Sequence, residues 1–85
     1  MQVAQAWHPY AVFIRVPPVP GIGERLRQLH DAASATGPFT ATSGSVRMVD
    51  FIRYGFTSEE HAELFRSRAR AMVGDFVEHE DPWSC

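Results

Sequence analysis

The sequence predicts an α+β domain in which one four-stranded antiparallel sheet carries two helices on one face. Three observations lead there. Residues 10–16 (YAVFIRV) and 46–56 (VRMVDFIRYGF) are rich in β-branched and aromatic side chains, the composition of a pleated, half-buried strand. Residues 21–36 and 57–73 place apolar side chains three and four apart with charges between them, which is the helical period. With short strands at 39–43 and 75–79, the order becomes strand, helix, strand, strand, helix, strand, the split-βαβ or ferredoxin-like arrangement.

The first strand ends at Pro17. The segment PPVPG behind it cannot donate ladder hydrogen bonds and reads as a stiff connection. In the first helix Ile22, Leu26, Leu29 and Ala32 or Ala33 form the apolar stripe, and Gly37 is expected as a left-handed terminator before Pro38. Ser43-Gly44-Ser45 is expected as the tight turn of a hairpin joining 39–43 to the long strand from Val46. Residues 57–60 (TSEE) match a capping box with Thr57 as the cap and Glu60 reaching back. Ala62, Phe65, Ala69, Met72 and Val73 supply the buried stripe of the second helix. Its acids Glu59, Glu60 and Glu63 precede Arg66, Arg68 and Arg70, as the helix dipole favours. Gly74 ends it.

Alternation assigns the faces. Tyr10, Val12, Ile14 and Val16 are expected under the helices with Val46, Met48, Ile52, Tyr54 and Phe56. Asp50 falls on that face and predicts a bulge or a satisfied carboxylate. Phe13, Arg15, Arg47, Val49, Phe51 and Arg53 fall on the opposite, open face of the two central strands. Aromatic side chains between arginines are more than a solvated face requires, so this stripe is the candidate binding or interface surface.

At 85 residues, 45% hydrophobic and 21% charged, the chain is expected to be one folded domain over 1–85. Its ordered core spans about 9–79 and its polar tail 80–85. No apolar run approaches the roughly 18 residues of a membrane span, and MQVAQAWHPY lacks the charged and apolar regions of a signal peptide. A cytoplasmic setting without membrane association is the expectation. Cys85 is the sole cysteine, which excludes an internal disulfide and a cysteine-based metal site. All eight basic residues are arginine, and the chain has no lysine and no asparagine.

The net charge of −2 opposes general nucleic-acid affinity, which needs many phosphate-neutralising cations. The charge is unevenly spread. Residues 1–53 hold five arginines against three acids, and residues 54–85 hold three arginines against seven acids. Such a dipolar chain suits self-association as well as it suits a foreign partner.

Residues 12–16 (VFIRV) and 47–54 (RMVDFIRY) resemble the two sheet motifs of the RNA-recognition-motif family, which shares this strand order. Phe13 matches the aromatic of the shorter motif, and Arg47, Phe51, Ile52 and Tyr54 match positions of the longer one. Met48 and Asp50 stand where glycine and a small residue are usual, and Val49 replaces a stacking aromatic. The resemblance implies single-stranded nucleic acid stacked on the open face, against the charge argument.

Of the four histidines, His30 and His61 fall on helices among charged neighbours. His8 and His79 would approach each other if the first and last strands pair, making a weak candidate metal site with Glu78, Glu80 or Asp81. No nucleophile–base pattern is present around Ser43 or Ser45, no cofactor is expected, and the residues lean away from an enzyme. The expected function is a non-catalytic protein-interaction domain that homodimerises through its open sheet face. A ligand- or nucleic-acid-binding module on that face comes second. A small enzyme with a pocket at a dimer interface comes third.

Overall fold

The computed structural model describes residues 9–78 and 81–82. β1 (Tyr10–Val16) is followed by α1 (Ile22–Thr36), β2 (Phe39–Val46), β3 (Val49–Phe56), α2 (Glu59–Val73), a 3₁₀ turn (Gly74–Phe76) and β4 (Val77–Glu78). The strands form one antiparallel sheet in the order β2-β3-β1-β4. This is the ferredoxin-like α+β arrangement, with β1 and β3 central and β4 beside β1.

The core lies between the sheet and the helices. Val12 and Ile14 of β1, Tyr54 and Phe56 of β3 and Val77 of β4 pack with Leu29 and Ala33 of α1 and Ala62, Phe65, Ala69 and Val73 of α2. Phe65 is fully buried, with its ring 4.9 Å from that of Tyr54 and 5.3 Å from that of Phe56. The small residues Ala33, Ala62 and Ala69 let the helices come close enough for these rings to fill the layer.

The hairpin differs from expectation. Residues 46–56 are not one strand: the chain turns at Arg47 and Met48, whose φ values are 53° and 69°. Ser43-Gly44-Ser45 is strand instead of turn. The shift pairs eight residues on each side, from Phe39 opposite Phe56 to Val46 opposite Val49. It sets the Phe39 and Phe56 rings 6.2 Å apart on the core side, and it brings Phe51 opposite Gly44. An aromatic beside a strand glycine covers backbone that the glycine leaves bare. Longer pairing and two aromatic contacts outweigh the local preference for glycine in the turn.

Further expectations change with the turn. Met48, assigned to the core, is 98% exposed. Val46 pairs with Val49 on the face away from the helices, and Arg47 belongs to the turn, not to that face. Asp50 is exposed at the end of the sheet and accepts a hydrogen bond from Ser45 Oγ. Pairing runs unbroken past it, without a bulge. Tyr10 is exposed and Val16 half-buried, because each lies at a sheet end past the helix cover.

The helix termini also differ in detail. Ser58, not Thr57, caps α2, accepting from the amides of Glu60 at 3.1 Å and His61 at 3.4 Å. Gly37 is extended, with φ 164°, so its need for glycine is spatial: a Cβ there would lie 2.6 Å from His61 Nδ1. Gly74 does terminate α2 with φ 50°. The following residues form a 3₁₀ turn, so the predicted last strand begins at Val77 instead of Asp75, and its expected end at His79 lies outside the described residues.

Candidate functional site

β1 and β3 bring the open-face residues together as alternation requires. Arg53 sits opposite Phe13, and Phe51 opposite Arg15. Across the whole sheet, Thr42, Arg53, Phe13 and Glu78 form one row. The stripe is not an open aromatic surface, however, because Phe13 and Phe51 are each only 8% exposed. Arg53 is half-buried. Desolvation lowers its pKa from the ordinary guanidinium value, and the charge of Asp81 opposes that shift. The segment at Asp81 therefore lies near the open face.

Arg15 is held on the β4 side. Its Nε is 3.9 Å from Glu78 Oε2, its Nη2 donates to the Asp75 carbonyl at 3.5 Å, and its guanidinium lies 5.9 Å from the centre of the Phe76 ring. These contacts are partly exposed and orient the side chain more than they stabilise the fold. At the hairpin end the face becomes exposed and apolar. Val49 is 38% and Val19 41% exposed, and Arg15, Val16, Pro17, Pro18, Met48, Val49 and Asp50 line a shallow concavity of about 310 Å³.

The two sheet edges differ sharply. The β4 edge consists of Val77 and Glu78, with Asp81 and Pro82 close behind in the chain. A short charged strand near a proline is a protected edge. β2 is eight residues, FTATSGSV, without a charge or a proline, and its unbroken register leaves no bulge. Ala41, Thr42, Ser43 and Ser45 are exposed. The lack of charge from 39 to 46 is legible in the sequence, but its meaning requires the sheet order.

On the helix side, His30 of α1 reaches the sheet: its Nδ1 is 3.2 Å from the hydroxyl of Tyr54, and its ring is edge-on to Phe39 at 5.5 Å. Tyr54 is fully buried, and burial pushes its phenol up to about 12. The pair joins the buried phenol to an exposed histidine and satisfies the Tyr54 hydroxyl at the rim of the core. Among the described residues no group of three or more His, Cys, Asp or Glu is placed to hold a metal ion. His8 and His79 lie outside the described residues. No helix among the described residues is long and apolar enough to cross a membrane. No protein-family model matches this chain, and no curated protein or solved structure matches it.

Proposed function

We propose that this is a small non-catalytic protein-interaction domain that associates with a second copy of itself through its sheet. The observation that carries the proposal is the hairpin tip. Two non-glycine residues hold left-handed backbone conformations there, each costing about 1–2 kcal/mol, and they project a methionine that is 98% exposed. Strain retained to display an apolar side chain beside Val49, Pro17 and Pro18 suits a contact surface. Of the open-face residues, Arg15 and Val49 border this end, whereas burial of Phe13 and Phe51 leaves little ring surface for base stacking. That burial, together with the net charge of −2, speaks against the nucleic-acid alternative.

Solution mass across a dilution series, at low and moderate salt, tests self-association. The expected outcome is a dimer that dissociates on dilution and is weakened by Met48→Asp or Val49→Glu. A monomer at every concentration would overturn it.

A further inference from the structure

We infer that β2 pairs antiparallel with β2 of a second copy across a two-fold axis at Thr42, joining two sheets into one of eight strands. The inference rests on the proposed self-association and specifies the contact that holds it. A two-residue turn closes on a mutually hydrogen-bonded pair, here Val46 and Val49. Val46, Gly44, Thr42 and Thr40 then turn their backbone groups towards β3. Phe39, Ala41, Ser43 and Ser45 point theirs outward, along the free edge.

An antiparallel partner must match outward residue to outward residue. With Thr42 on the axis, Phe39 pairs with Ser45 of the second copy and Ala41 with its Ser43, so every outward residue has a mate. Thr42 faces its own counterpart. Because β2 carries no charge, self-pairing sets no like charges opposite each other. Its threonine, serine, alanine and glycine side chains are small enough to admit the neighbouring helix α1, which lies above β2 through Leu26 and His30.

Charge supplies the choice of occupant. At the hairpin end of the molecule Arg25, Arg27 and Arg47 outnumber Glu24, which pairs with Arg27 at 3.1 Å, and Asp50, leaving a small positive balance. Glu59, Glu60 and Glu63, opening α2 after Phe56, lie at the other end, where Arg66 pairs with Glu63 and leaves Glu59 and Glu60 in excess, and Asp31 falls in the second half of α1. Antiparallel pairing places the basic end of one copy beside the acidic end of the other, on both sides of the axis. The same register carries Met48 alongside the partner's Gly37–Pro38 corner, so the strained tip and the free edge belong to one interface.

Two variants of the full chain test the geometry. Ser43→Pro removes an outward amide while sparing the ladder to β3, the placement an edge strand tolerates. It should give a folded protein whose dimer dissociation constant rises at least about tenfold. In a Cys85→Ser background, Thr42→Cys places two thiols on the axis, where facing Cα atoms are about 4.5 Å apart, within disulfide reach. Oxidised glutathione should convert it to a covalent dimer. Thr40→Cys, with its counterpart about 14 Å away, should stay uncrosslinked. A wild-type dimer undiminished by Ser43→Pro, or Thr42→Cys crosslinking no better than Thr40→Cys, would overturn edge pairing and leave self-association standing. A wild-type monomer at all concentrations would overturn both.

Discussion

At the residue scale, Tyr54 shows how a polar group is accommodated in so thin a core. Its ring is fully buried between Phe39, Phe56 and Phe65. Its hydroxyl escapes isolation only because α1 places His30 Nδ1 at 3.2 Å. Tyr54→Phe removes that hydrogen bond and leaves His30 to water, so a loss of about 0.5–1.5 kcal/mol is expected from urea denaturation. The phenol also sets an alkaline limit. Its folded pKa of about 12 lies above the ordinary value of 10, so above pH 10 the unfolded chain releases a proton that the folded chain retains. This contribution is intact below pH 10 and is lost as pH rises towards 12. Wild type should lose stability over that range more steeply than Tyr54→Phe. Equal slopes would mean that the phenol ionises freely within the folded protein.

At the element scale, helices and hairpin are positioned by two local fits. The α1 C-terminus meets the α2 N-terminus where the His61 ring lies on Gly37, 2.6 Å from where a Cβ would stand. Arg68 Nη1 donates to Thr36 Oγ1 at 2.9 Å across the same two helices. Gly37→Ala should therefore destabilise by about 1–3 kcal/mol through overpacking. In a His61→Ala background its cost should fall to about 0.5 kcal/mol or less, since the backbone at Gly37 is extended and open to any residue. An undiminished cost in that background would place the conflict elsewhere. In the hairpin, replacing Arg47-Met48 with Asn-Gly relieves two left-handed non-glycine residues and should raise stability by about 1–2 kcal/mol. Thermal unfolding of the monomeric state measures this. The same change should weaken self-association, because it deletes the exposed methionine.

At the scale of the whole molecule, the described residues form a sheet with one short charged edge and one long uncharged edge. β4 is two residues long with a charge, whereas β2 offers eight uncharged residues in continuous register. Edges of the second kind recruit other strands. In the proposed dimer the two ends carry opposite charge, so association should weaken modestly as salt screens them. The other sheet face is already largely closed by the burial of Phe13 and Phe51.

By itself the sequence determined the element order, both helices with their stripes, and the two faces of β1, because these follow from periodicity within each segment. It also brought Phe13, Arg15, Phe51 and Arg53 correctly onto one face, since alternation along β1 and β3 is insensitive to where the hairpin turns. Tertiary structure alone decided the turn at Arg47–Met48. Glycine at 44 is the better local turn former, but eight paired residues and the Phe39–Phe56 contact are long-range gains that no local signal records. It also decided that Met48 is exposed and that Phe13 and Phe51 are covered, because exposure depends on what other segments occupy a face. The ferredoxin-like arrangement expected from the element order already sets β2 at a sheet edge; what the structure decided is that this edge runs uncharged and unbroken over eight residues, because its length depends on where the hairpin turns.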